Sequence, residues 1–437
     1  MLFKKKNKNI IVGTGKSTNP DPYLAAKEAA EAAKKPLLDK KPTISYVFYA
    51  GDYDINKIND ALKEAFDGTD YIGGSADAVF FDDQVLNKGI VVSCIQSEYI
   101  TVGISSSENV SKNPFEAAKK TTYNAIKKLP VDKYVSPYMM FTRLKDSKIE
   151  WLLKAPSFFV QVYSRGMKLP VMGDETKIMN GIFDLIGSNT PIYGASFGTS
   201  LQNLFSGKPY DINMIHNGKI LKDGLIIIVS TTSLLYGQAL EHGCKRTDKL
   251  GFISKVSGNG YVVEQISGKN AVDWYCEQLN ISKEEFVKNS MVVTQRWPLG
   301  IPDDYQNYII RGAGVHNNGT LAYVAPLVEG WPVYIMDADP KNLSQAADMI
   351  SREIIKYVKD KKDARLIFAN LCASRHAIFQ DKLSKELKDI KKNFGNAPVV
   401  GFSCFGEIGS SPGEPPKYNH MCANVFILYD KLLHELK

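Results

Sequence analysis

Three stretches of the chain carry the same order of apolar and polar positions. In the first, the apolar run Ile44 to Ala50 precedes a segment whose apolar residues Ile55, Ile58, Leu62 and Phe66 recur at helical spacing. Gly68 follows, then Tyr71-Ile72-Gly73-Gly74-Ser75, then the apolar run Gly89 to Ile95. The second stretch runs Phe158 to Tyr163, then Ile178, Ile182, Phe183 and Ile186, then Gly187, Ile192-Tyr193-Gly194-Ala195-Ser196, and Gly224 to Ser230. The third runs Arg365 to Leu371, then Leu383, Leu387, Ile390 and Phe394, then Gly395, Val399-Val400-Gly401-Phe402-Ser403, and Cys422 to Leu428. Apolar residues at i, i+3/i+4 and i+7 make one buried helix face. A glycine just past the last of them is a helix stop. The β-branched and aromatic runs suit buried strands. The order therefore predicts strand, helix, short strand, Gly-x-Ser turn and strand, three times over.

Between the second and third units the pattern changes. Lys255 to Gln265 predicts a hairpin turning at Ser257-Gly258-Asn259-Gly260, and Asn270 to Leu279 predicts a short helix. Asn307 to Gly312 predicts a strand, with Gly319 to Ala325 as its partner across Asn317-Asn318-Gly319. A boundary falls near residues 230–250. At the N-terminus, prolines at 20, 22, 36 and 42 isolate a helix over Tyr23 to Lys34. The fold class is mixed α/β (α+β), with repeated units forming mixed sheets covered by helices.

Composition narrows the functional classes. Hydrophobic residues at 44% and charged residues at 23% are ordinary for a folded protein, and nothing in them suggests wholesale disorder. The net charge of +7 is concentrated in part at Lys4, Lys5, Lys6 and Lys8. Elsewhere lysines mix with acids on helix faces, as from Lys382 to Lys392, which points away from nucleic acid. No stretch of about 18 apolar residues predicts a membrane span. The N-terminus lacks a secretory apolar stretch. Six scattered cysteines without a C-x-x-C pair read as reduced thiols of a cytoplasmic protein.

Several motifs could carry chemistry. Gly13-Thr14-Gly15-Lys16-Ser17 resembles a phosphate loop but has Ile10 where the first glycine should stand, and Asn19-Pro20 blocks the helix that should follow. The Gly-x-Ser turns, notably Gly194 with Ser196 and Gly401 with Ser403, let backbone approach a ligand and offer a hydroxyl. The third turn, Gly401 to Gly409, adds Cys404, Gly406 and Glu407, a carboxylate able to accept a ligand ammonium. Arg311, at a strand end, is suited to hold a carboxylate. Cys372, at another, could be a packed thiol or a nucleophile. The six histidines show no metal spacing.

These residues resemble the FIST family, a sensory domain in two parts. The N-terminal resemblance rests on Val12 to Ser17, Asp21-Pro22-Tyr23 with Ala25-Ala26 and Ala29-Ala30, Ile72 to Ser75, the copy at Gly194, and Lys255 to Asp273. The C-terminal resemblance rests on Tyr308 to Gly312, Glu329-Gly330, Cys372 with Arg375, Gly401-Phe402 with Gly406-Glu407-Ile408, and Asn419-His420. The first turn departs from the pattern: Ala76-Asp77-Ala78 stands where a Gly-Glu pair is typical, so no ligand role is carried over to it. The resemblance implies a FIST N-like domain over 1–245 and a FIST C-like domain over 246–437. It implies a sensor of an amino acid or similar small ligand, acting through a separate signalling partner; high Lys, Ile and Asn content points to a prokaryote. Arg311, Cys372, Arg375, Gly401, Ser403, Gly406, Glu407, Asn419, His420, Gly194 and Ser196 would form the ligand site. Two alternatives stand beside it: a haem-based nitric oxide sensor, as in some relatives, and an enzyme using Cys372 or Cys404. No other cofactor is expected.

Overall fold

A computed structural model describes residues 8–130, 157–168, 173–206, 210–315, 317–358 and 363–433. The basic run Lys4 to Lys6, and His316 and His434, lie outside the described residues.

The three units are longer than their sequence signature. The first runs β1 (Ile11–Ser17), α1 (Pro22–Lys34), β2 (Ile44–Ala50), α2 (Ile55–Ala65), β3 (Tyr71–Ala76), a hairpin of β4 (Val79–Phe81) and β5 (Gln84–Leu86), and β6 (Gly89–Gln96). The second runs β7 (Ile100–Ser107), α3 (Pro114–Ile126), β8 (Ser157–Ser164), α4 (Glu175–Ile186), β9 (Ile192–Ser196), a hairpin of β10 (Met214–His216) and β11 (Lys219–Leu221), and β12 (Leu225–Thr232). The third opens with β13 (Leu234–Glu241). An insertion interrupts it, made of β14 (Lys245–Ser257), β15 (Val262–Ile266), β16 (Lys269–Asn270), β17 (Leu299–Pro302), β18 (Tyr308–Arg311), β19 (Ala313–Val315), β20 (Leu321–Tyr323), β21 (Pro332–Asp337) and short helices. The unit then resumes with α5 (Ala346–Val358), β22 (Ala364–Cys372), α6 (Leu383–Asn393), β23 (Val399–Cys404), a hairpin of β24 (Glu407–Gly409) and β25 (Lys417–Asn419), and β26 (Ala423–Leu432).

Each unit builds one sheet with the same strand order: β1-β6-β2-β3, β7-β12-β8-β9 and β13-β26-β22-β23. The strand pair flanking the central helix is parallel in each, and the neighbouring pairs are antiparallel. Each sheet is then completed by the next unit's hairpin. β10 pairs with β3, β24 with β9, and β4 with β23. The exchange runs 2 onto 1, 3 onto 2 and 1 onto 3, so the three units close into a ring.

The sheets face one another across a shared apolar core, and the helices pack on their outer faces. One aromatic from each unit meets at its centre. The Phe48, Phe197 and Phe402 ring centroids stand 6.3, 4.8 and 4.9 Å apart in pairs. Each is essentially inaccessible, and burying such a ring stabilises by roughly 2–3 kcal/mol.

The apparent phosphate loop is strand β1. A side chain at Gly13 or Gly15 would strike the carbonyls of Ala33 and Ala29, so these glycines let the alanine face of α1 lie close on the sheet. The insertion forms a curled sheet ordered β18-β17-β21-β14-β15-β20-β19, whose two edge strands are consecutive in the chain and meet at Gly312. The expected pairing of the 307–312 strand with 319–325 is therefore corrected. β18 pairs with β17, and β20 pairs with β19 and β15. Gly312 ends β18, and the chain beyond it joins the opposite edge.

Candidate functional site

The serines of the three Gly-x-Ser turns occupy equivalent places but differ in partners. Ser75 Oγ donates to the Gly198 carbonyl at 2.8 Å. Ser196 Oγ donates to Glu175 Oε1 at 2.8 Å and lies 3.0 Å from Ser164 Oγ. Ser403 Oγ donates to Asp77 Oδ2 at 3.0 Å, and the same oxygen takes His376 Nδ1 at 2.5 Å. Asp77 Oδ1 accepts the Leu201 amide at 2.9 Å. One carboxylate thus joins all three units. The carboxylate stands between hydroxyl and imidazole, so His376 bonds Asp77 and not Ser403, unlike the order serine, histidine, carboxylate of a nucleophilic triad.

The first glycine of each turn has a common cause. A methyl group at Gly73, Gly194 or Gly401 would sit 2.2, 1.9 or 1.8 Å from the carbonyl of Val47, Val162 or Ala369 on the parallel neighbour. Gly194 and Gly401 therefore serve strand packing.

Glu407 breaks the threefold repeat. The ladder sets it opposite Ala195, the position that Val79 takes opposite Phe402 and Met214 takes opposite Gly74. Val79 and Met214 belong to the central core, where the third unit places a fully buried carboxyl. Its Oε1 accepts Cys404 Sγ at 3.1 Å and its Oε2 accepts the Cys422 amide at 3.0 Å. Burial raises the pKa of Glu407, and burial followed by its neighbourhood to Glu407 raises the thiols of Cys372, Cys404 and Cys422. Thiols held protonated and out of solvent are poor nucleophiles. Gly406 lies under the Tyr418 ring, which a Cβ would meet at 2.4 Å.

Two buried arginines contrast. Arg375 is wholly enclosed and uses all five donors. It pairs with Glu386 through Nε and Nη2 and gives the rest to the carbonyls of His242, Met421 and Leu343. It has no N–H left for a ligand, so its expected ligand contact is corrected to a structural clamp between the insertion's flanks and the third unit. Arg311 is 6% exposed. Its Nη1 donates to the Ile310 and Tyr418 carbonyls at 3.1 and 3.0 Å, its Nε has no partner, and no carboxylate pairs with it among the described residues. Its guanidinium lies 5.7 Å from the Tyr418 ring centroid, and burial lowers its pKa to about 10. His420 also packs on Tyr418, ring edge to face at 4.9 Å, with neither ring nitrogen hydrogen-bonded. Burial, then Arg311, depresses its pKa. Asn419 locks the arrangement by accepting the Ile310 amide at 2.7 Å.

The FIST N domain profile matches residues 44–269, and the FIST C domain profile matches residues 271–410. The chain belongs to the FIST family. FIST domains are sensory domains. No curated protein matches this FIST chain. Among solved structures it is similar to a cyanuric acid hydrolase from A. caulinodans, at 8% identity and a TM-score of 0.38, covering 96% of this chain and 99% of that one. It is also similar to phosphoribosylformylglycinamidine synthase II from Thermotoga maritima, at 10% identity and a TM-score of 0.20, covering 81% and 74%. Both scores are too low to carry function across. Among the described residues no helix is long and apolar enough to cross a membrane.

In this FIST protein the structure brings Arg311, Asn419 and His420 together around Tyr418, and Cys372 and Glu407 together with Cys404. Ser196 and Ser403 belong to separate polar clusters. Tyr418, Glu175, Asp77 and His376 were not singled out as site residues. Tyr418 immediately precedes Asn419 and could have been included on that ground. Glu175 and Asp77 gain their roles only from contacts with residues far away in the chain.

Proposed function

We propose that this FIST protein is a cytosolic small-molecule sensor whose ligand, an amino acid or similar small carboxylate, is held by Arg311. One observation carries the reading. Arg311 is a buried guanidinium with a free Nε and no acidic partner among the described residues. An isolated buried cation is costly, and an anionic ligand would offset that cost. Arg375, matched by Glu386, is the internal contrast. The free ring nitrogens of His420, which shares the Tyr418 ring with Arg311, add donors or acceptors nearby. The cysteine-enzyme alternative loses ground because the thiols of Cys372 and Cys404 are buried and their pKa values pushed up. Haem does not fit His420. The ring is 5% exposed, packed on Tyr418 and beside a cation, with no face open to a porphyrin.

Calorimetric titration with the amino acids and with short carboxylic acids tests this. The parent should bind at least one of them, and Arg311→Ala, folded by circular dichroism, should bind it about tenfold to a hundredfold more weakly. Equal affinity in a folded Arg311→Ala variant would remove Arg311 from the site.

A further inference from the structure

A second buried polar group lies unpaired at the start of α4. Glu175 is 1% exposed. Its Oε1 accepts Ser164 Oγ and Ser196 Oγ, each at 2.8 Å, while its Oε2 has no hydrogen-bond partner. The residue lines a small cavity together with Ser164, Arg165, Asp174 and Asp223. The cavity has about 10 Å³ of room for a water's centre, enough for one water or one group of that size.

Charge in this cavity is out of balance. Asp223 is paired with Arg165, Nε to Oδ1 at 2.9 Å, and takes the Ser111 hydroxyl at 2.7 Å. Asp174 is met by Lys177 at 3.5 Å, a side chain half in solvent, and by the field of Arg165, and burial raises the pKa of Asp174. Glu175 has no cation among the described residues. Three carboxyls therefore face one buried guanidinium. The helix N-terminus offsets part of this negative charge, but the free Glu175 oxygen is still without a donor. No group of three or more His, Cys, Asp or Glu side chains with metal-holding geometry occurs among the described residues. What suits one free carboxylate oxygen in a water-sized space is an N–H donor.

We propose that the Glu175 cavity binds a primary ammonium group, as free ammonium or as the amine end of a small ligand. The proposal rests on the reading of the protein as a small-molecule sensor and gives that sensor an amine-selective site, separate from Arg311. It assigns the amine role to Glu175 in place of Glu407, whose two oxygens are already engaged by Cys404 and Cys422.

Thermal melts of the full chain in ammonium chloride, methylammonium chloride and potassium chloride of equal ionic strength test it. Ammonium or methylammonium should raise the parent Tm above the potassium control, because a ligand that binds only the native state stabilises it. Glu175→Gln should lose that rise, and Glu175→Asp should keep part of it. A rise with ammonium alone assigns the site to the free ion, and a rise with both assigns it to amines. No rise in the parent, or an equal rise in Glu175→Gln, overturns the proposal. Should Glu175→Gln not fold, equilibrium dialysis of the parent against ¹⁵N-ammonium decides: about one bound per chain supports the site and none overturns it. Neither arm contains a carboxylate, so a failure here leaves the Arg311 titrations standing, and their failure leaves this one.

Discussion

A buried ionisable side chain is informative when its partners can be counted. Arg375 and Arg311 are both buried, yet one has every donor used and the other has a donor free. Sequence could not separate them, because the partners of Arg375 lie 11, 32, 46 and 133 positions away. The same counting at Glu241 gives a pH dependence. Glu241 ends β13, is 5% exposed, and accepts the Ser411 hydroxyl at 3.3 Å through Oε1 while Oε2 is unpaired. Burial, then the neighbouring Glu414, raises its pKa from 4.5 to about 7. The folded state therefore holds this proton more tightly than the unfolded chain. Its contribution is fully present below pH 4.5 and is lost as pH rises through about 7, a swing on the order of 3 kcal/mol. Glu241→Gln should flatten stability against pH across that window. Urea denaturation at pH 5 and pH 7.5 measures it, and parallel losses in parent and variant would contradict the assignment.

At the scale of elements, what could be read from sequence was local. The helix faces of α2, α4 and α6 and the runs of β2, β8 and β22 repeat within short windows, so three units were visible. The opening strand and helix of each unit were not recognised as part of the repeat. α3 carries Thr121 and Thr122 on its buried side instead of large apolar residues, and in the third unit the insertion parts β13 from α5. The exchanged hairpins were also hidden, since strands of three residues carry little pattern and their partners belong to another unit. The repeated glycine was legible, but its cause was not. Strand crowding, rather than ligand approach, explains Gly401, whose Cβ would meet the Ala369 carbonyl at 1.8 Å. Gly401→Ala should cost about 3 kcal/mol or more, because a strand backbone must move. Gly312→Ala, where a methyl meets nothing within 4 Å, should cost little. Comparable losses at both positions by chemical denaturation would refute the crowding argument.

For the whole molecule, a ring closed by exchanged hairpins means that no unit completes its sheet alone. Asp77 strengthens the closure, since its two oxygens bind Ser403 and His376 of the third unit and Leu201 of the second from a position in the first. Bonds to a charged acceptor are worth about 1.5–3 kcal/mol each, and they act across unit boundaries. Asp77→Asn should therefore lower the stability of all three units together instead of melting one. The tryptophans offer an independent probe. Three of the four tryptophans, Trp274, Trp297 and Trp331, belong to the insertion, whereas far-UV circular dichroism averages over the ring; the fourth, Trp151, lies outside the described residues. The insertion is fastened to the third unit by Asn419 on the Ile310 amide, and its flanks by Arg375 on the His242 and Leu343 carbonyls. Fluorescence and dichroism should then report one shared transition in the parent and one shared, earlier transition in Asp77→Asn. A ring that melts by dichroism while tryptophan emission stays native would show that the insertion is an independent body. The ring and the insertion would then not move as one on ligand binding, and Arg311, carried on the insertion, would have to signal by local rearrangement alone.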